Sequence, residues 1–221
     1  MSAPLDQVPR NQDDAPVEVV AYDVTWPSKF EAERLLLEAI LARWLAGSIE
    51  HIGSTAVPLQ PAKPVIDIMA PVYSLEASRP AIEAVATTGY VYYPYKAEVM
   101  HWFCKPSPYH RTHHLHLVPF GSPLWHQRLD FRDALRRNPM LAAEYAALKL
   151  RLAEKFRLDR EAYTEAKSPF VHRVLSELNG HSRMQPDPSN EPNAPGAVVM
   201  SAVRRSLPRC SSNLDKLRPT G

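Results

Sequence analysis

In the run Val65-Ile66-Asp67-Ile68-Met69-Ala70 a single carboxylate interrupts residues apolar enough for a buried strand. No other feature constrains the chain so tightly. An unpaired buried charge is costly, so Asp67 must either meet a cation such as Lys63 or an arginine, or face a cleft where it holds one. Just upstream, Ile49 to Ile52 reads as a second short strand. Gly53-Ser54-Thr55 follows it as a turn whose glycine lets backbone amides approach a ligand. The connection between the two strands carries Pro58, Pro61 and Pro64. A phosphate cradle and a metal carboxylate are thus written into twenty residues.

The remainder divides into strands first and helices afterwards. Residues 1–16 hold Pro4, Pro9 and Pro16 among Gln, Asn and Asp, a composition expected to remain a flexible arm. Val17 to Tyr22 reads as a first strand or extended lead-in, and Thr25 or Ser28 around Trp26-Pro27 starts a helix. Its stripe is Phe30, Leu37, Ile40, Leu41, Trp44 and Leu45, closed by Gly47. Ser74 to Thr88 is expected to be helical, with Pro80 requiring a start near Ser78-Arg79. Tyr90 to Tyr95 and Val99 to Lys105 suit a hairpin or neighbouring strands. In Thr112 to Val118 a strand places His114 and His116 on one face and Leu115 and Leu117 on the other.

Beyond Pro119, Ser122 caps a helix to Arg137, and Asn138-Pro139 starts another. In that second helix Leu141, Tyr145, Leu148, Leu152 and Phe156 face inward and Lys149 is left on the surface. Asp159 caps a further segment, which Ser168-Pro169 breaks or restarts, and the domain spans 17–180. From residue 181 to 221, six prolines and many Ser and Asn predict a disordered tail.

Charge and cysteine content exclude several functions. The net charge is +2, with six basic residues against three acids in 181–221, leaving 20 against 21 elsewhere. That balance argues against duplex nucleic acid or a membrane as partner. Cys104 and Cys210 write no disulfide framework and no cysteine zinc site, which fits a reduced, cytoplasmic setting. The N-terminus lacks the apolar core of a secretion signal.

Gly53-Ser54-Thr55 is neither a Walker A motif nor a dinucleotide fingerprint. Phosphoryl and nucleotidyl transfer use a divalent ion, Mg²⁺ or Mn²⁺, usually on more than one carboxylate, yet the strand position two beyond Asp67 is Met69. His114 and His116 are alternative donors. With Asp67 they form a two-histidine, one-carboxylate set suited to Mn²⁺, Fe²⁺ or Zn²⁺, which His51 or Glu50 would complete. Either histidine, His116 above all, also suits acid-base work. A Ser54-His116-Asp67 nucleophilic triad is less well supported, because no nucleophile-elbow pattern surrounds Ser54. Lys63, Arg111, Lys149, Arg160 and Lys167 are candidate phosphate partners.

These segments together resemble the GrpB family: Tyr22 with Trp26-Pro27 and Phe30; Glu50-His-Ile-Gly-Ser-Thr-Ala-Val-Pro58; Ala62-Lys-Pro-Val-Ile-Asp-Ile68; Arg111-Thr-His-His-Leu-His-Leu117; Phe131-Arg-Asp133; Glu144-Tyr-Ala-Ala-Leu-Lys149; and the stretch from Asp159 to Phe170. The resemblance covers about 17–178. It implies an α/β (α+β) nucleotidyltransferase-like fold, a mixed β-sheet flanked by helices with a helical C-terminal part. It also implies a nucleotide or phosphorylated small molecule as ligand, Gly53-Ser54 as phosphate turn, Asp67 as first metal acid, and a family whose members are sometimes fused to dephospho-CoA kinase. Two departures stand out. The family usually has Gly-Leu where this chain has Leu59-Gln60, and Met69 replaces the second acid of many nucleotidyltransferases.

Overall fold

A computed structural model describes residues 15–184. The expected arm and tail lie outside these residues, apart from their inner ends. Five strands form one mixed sheet in the order β1-β2-β5-β4-β3: β1 (Glu50–Ile52), β2 (Ile66–Val72), β3 (Val91–Tyr93), β4 (His101–Pro106) and β5 (Arg111–Pro119). β2 and β5 run parallel, and every other neighbouring pair is antiparallel. The two aromatic runs are therefore a hairpin. Six helices flank the sheet: α1 (Trp26–Leu41), α2 (Ala81–Ala86), α3 (Pro123–Arg137), α4 (Pro139–Lys155), α5 (Arg160–Glu165) and α6 (Ser168–Met184). The mixed sheet with a helical C-terminal part is the fold class the resemblance implied.

Alternation along the strands divides the core into two layers. Ile66, Ile68, Ala70, Val72, Phe103, Leu115 and Leu117 join the cluster formed with Phe30, Leu37 and Leu41 of α1 and Ala81 and Val85 of α2. On the other face Ile52, Met69, Trp102, Cys104 and Val118 pack with Met100 and with Trp125 of α3. A third cluster joins α3, α4 and α6 through Ala134, Leu135, Tyr145, Phe170 and Val174, with Val57 from the connection after β1.

Of the two readings of Val17–Tyr22, the structure has the lead-in and not a strand, with a single bridge from Val20 to Ala62. Two local expectations need correction. The helix expected over Ser74–Thr88 shrinks to Ala81–Ala86. The Ser78 hydroxyl bonds back to the Ser74 and Leu75 carbonyls, which holds a turn, and Pro80 becomes the N-cap. Lys149 is not on the surface. It is 2% exposed, its ammonium donating to the Pro61 carbonyl and lying 4.9 Å above the Tyr145 ring. By contrast, the caps at Ser122, Asn138 and Asp159 each accept the predicted backbone hydrogen bond. α6 continues to Met184.

Candidate functional site

Strand pairing explains how the site assembles. Asp67 is directly opposite His114, and Met69 is opposite His116, so both histidines share the face of Asp67. His114 Nδ1 lies 2.9 Å from Asp67 Oδ1, and His116 Nε2 lies 3.9 Å from the same oxygen. Among the described residues these three are the set of donors able to hold a metal ion, one atom from each lying within 4.8 Å of the others. Asp67 remains partly open, its side chain 30% exposed. The sequence brought these three residues together correctly.

Gly53 is pressed onto this group. Its φ of 71° and ψ of −172° lie in a region that is essentially glycine-only, and a Cβ there would meet the Asp67 carboxylate. Ser54–Ala56 then form a single 3-10 turn. Within the described residues the amides of Ser54 and Thr55 have no protein acceptor. The Thr55 hydroxyl is committed to the scaffold, donating to the Val65 carbonyl at 3.3 Å with His51 Nε2 at 3.0 Å. Ser54 neighbours the Tyr145 hydroxyl, and among the described residues no hydrogen bond joins it to His116, whose Nδ1 lies against Met100, so the nucleophilic triad is without support.

His51 and Glu50 do not complete the metal set. His51 belongs to the opposite face, stacked on Phe30 at 4.6 Å. The Glu50 carboxylate is tied to Arg132 at 2.7 Å. Arg132 also donates to the His51 carbonyl, and Arg136 forks onto the Ala56 carbonyl at 3.0 and 2.8 Å. These two α3 arginines bracket the 53–55 turn. Sequence reading missed them, because an arginine aimed at a carbonyl some eighty residues away has no local signature. It missed Tyr145 for a different reason: its helical stripe accounts for the buried ring and leaves the hydroxyl unexplained.

The electrostatics suit a cation beside an anion. Burial pushes the Asp67 carboxyl up, but the His114 hydrogen bond and the nearby His116 imidazole hold it well below the usual carboxylate range. Burial lowers His114 to about 4 against the pull of Asp67, and lowers His116 likewise. At neutral pH the carboxylate is therefore charged and both imidazoles are neutral donors. Facing them are two desolvated lysines. Burial, then Lys167 and Arg160, lower Lys63 to about 7, while burial lowers Lys167 to about 8; Asp67 attracts both. Their ammoniums lie 5.1 and 4.4 Å from the Tyr163 ring. Arg160 Nη1 is buried without a hydrogen-bond partner. Of the expected phosphate partners, Lys63 and Lys167 are attracted by Asp67 and Arg160 acts on Lys63, whereas Lys149 is taken by Pro61.

The family model for GrpB protein matches residues 16–177. The chain belongs to the GrpB family. The glutamate-rich protein GrpB of Alkalihalophilus pseudofirmus is 34% identical over 167 residues, covering 73% of this chain and 95% of that protein. The crystal structure of GrpB from Enterococcus faecalis superposes with a TM-score of 0.68 at 31% identity, covering 75% of this chain and 99% of that one. A longer relative, the dephospho-CoA kinase of Mycolicibacterium paratuberculosis, is 30% identical over 190 residues, and the match spans 71% of this chain and 44% of the kinase. Among the described residues no helix is long and apolar enough to cross a membrane.

Proposed function

We propose that this GrpB domain binds a nucleotide or phosphorylated small molecule, together with a divalent ion, in the cleft between Gly53-Ser54, Asp67 and His114/His116. One observation carries the reading. An ionised carboxylate and two neutral imidazoles share a sheet face beside a glycine turn, and among the described residues the Ser54 and Thr55 amides have no acceptor and Lys63 and Lys167, both attracted by that carboxylate, form no salt bridge. A cleft so rich in desolvated cations favours an anion. Asp67, His114 and His116 would hold the ion, whose chemistry is to neutralise phosphate charge. The Ser54 and Thr55 amides orient a phosphate, Lys63 and Lys167 bind its oxygens, and a histidine of the pair that does not ligate the ion is able to accept a proton. Nucleotidyl transfer is the corresponding reaction class, in a cytoplasmic protein acting on small molecules rather than on duplex nucleic acid or membranes. The kinship with a dephospho-CoA kinase supports including CoA precursors among the ligands.

A second reading, a non-catalytic binding or regulatory module, draws on Met69. The residue standing where a second acid would be is fully buried in an apolar cluster. A thermal-shift screen of nucleotides and CoA precursors with Mg²⁺, Mn²⁺ and Zn²⁺, run on wild type, Asp67→Asn and Lys63→Met, tests both readings. Ligand shifts lost in both variants, with turnover in wild type, support the transferase. The same shifts without turnover support the module. Shifts indifferent to both substitutions remove the cleft from consideration.

A further inference from the structure

We propose that the Asp67/His114/His116 centre is selective for a first-row transition dication, zinc foremost, and discriminates against magnesium. This rests on the reading of the cleft above and specifies its ion. Magnesium demands oxygen ligands and octahedral order, and protein sites usually give it carboxylates. Here two of the three donors are imidazole nitrogens, and imidazole suits zinc, copper, iron and nickel. Among the described residues no second carboxylate joins the set. The residue paired with His116 is Met69, the neighbour of His116 Nδ1 is Met100 Sδ at 3.4 Å, and the carboxylate of Glu50 is held by Arg132.

The geometry needs little adjustment. Ligands around one such ion at about 2.1 Å stand roughly 3 to 4 Å apart; here the two imidazole nitrogens lie 2.9 and 3.9 Å from the carboxylate oxygen, and one donor atom from each residue lies within 4.8 Å of the others.

The full chain, stripped with a chelator, is titrated calorimetrically with Zn²⁺, Mn²⁺ and Mg²⁺, and with Co²⁺ followed by its visible absorption. Zinc is expected to bind at least a hundredfold more tightly than magnesium, and cobalt to give the absorption of a nitrogen-oxygen site. Both signals should be lost in Asp67→Asn and in His116→Ala, with folding checked by circular dichroism. Magnesium binding within tenfold of zinc, no dication binding, or zinc binding that survives both substitutions overturns the inference. Pyrophosphate binding is measured on the chelated protein in parallel. If it persists while the metal result fails, only the ion assignment falls; if pyrophosphate is also ignored, the anion cleft falls with it.

Discussion

A Cβ at position 53 would be driven into the Asp67 carboxylate, 3.0 Å from both the Cβ and the Cγ of that residue. Position 53 also has a backbone conformation that side-chain-bearing residues rarely adopt. Gly53→Ala therefore incurs strain and displaces the acid at the same time. The expected cost is about 1–3 kcal/mol of stability, read from urea denaturation, with a larger loss in ligand affinity than the stability change alone predicts. If affinity is unchanged, Asp67 has not moved, and the contact between turn and acid is unimportant for binding.

Acid should destabilise the metal-free protein in two successive windows. Burial lowers His51 and His114 to about 4 and also lowers His101, His113 and His116. Between the ordinary histidine pKa near 6.5 and these values, the unfolded chain binds protons that the folded one does not. Stability consequently falls as pH falls, by up to about 1.4 kcal/mol per pH unit for each fully titrating histidine. Asp67 acts below that window: its depressed folded value contributes stability above the unfolded carboxyl pKa, lost as pH drops through the folded one. Chemical denaturation from pH 7 to 4 checks the slope, and His114→Asn should reduce it. A flat profile would mean that the histidines are charged in the native state.

Leu59 occupies the place where GrpB sequences usually carry glycine. It has a left-handed φ of 62° and an 84% exposed side chain that contributes nothing to the core. For a leucine that conformation costs about 1–2 kcal/mol, whereas glycine adds about 0.5–1 kcal/mol of unfolded-state entropy. Leu59→Gly should accordingly stabilise by about 0.5–1 kcal/mol, roughly 1–4 °C in Tm for a chain of this size. Leu59→Ala keeps a Cβ and should give no such gain; equal gains from both would trace the effect to the exposed leucine side chain instead of the backbone.

What the sequence made legible follows the range of the physics. Caps at Ser122, Asn138 and Asp159 are local chemistry, as is the alternation that put His114 and His116 on one face, and all appear in the structure. Asp67 was conspicuous because burial of a charge requires a partner, and the structure supplies two. The strand order was not legible: β2 pairs in parallel with β5 across a crossover that contains α2 and the β3-β4 hairpin. Nor were the Arg132 and Arg136 contacts with the turn, which depend on where α3 comes to lie. Lys149 was misplaced because its charge suggested a surface, although it stands one helical turn from buried Tyr145.

That misplacement separates two kinds of buried lysine. Lys149→Met removes the donor to the Pro61 carbonyl, and an unsatisfied buried acceptor costs about 1–3 kcal/mol. Its effect should appear in stability and leave phosphate affinity nearly intact. Lys63→Met and Lys167→Met remove cations that Asp67 attracts and that form no salt bridge among the described residues. They should keep or raise stability while weakening pyrophosphate binding about tenfold or more, a loss of about 1.4 kcal/mol. Calorimetric titration beside denaturation curves distinguishes the patterns. Reversed results would move the anion site towards Pro61 and α4.

Restoring an acid at position 69 tests whether the missing carboxylate is a simple vacancy in a catalytic pair. Met69 is 0% exposed and packs with Ile52, Met100, Trp102 and Trp125, so an aspartate there loses that packing and buries a charge near Asp67. Met69→Asp should therefore destabilise the metal-free protein by about 4 kcal/mol or more, on the order of 10 °C in Tm. A dication shared between Asp67 and the new carboxylate would recover part of that loss, and magnesium should do so better than in wild type because the donor set has gained a hard oxygen. Thermal denaturation with and without Mg²⁺ reads both effects. A variant as stable as wild type without metal would show that the Met69 cluster is open enough to hydrate an acid, and that apolar packing is not what keeps the second carboxylate out.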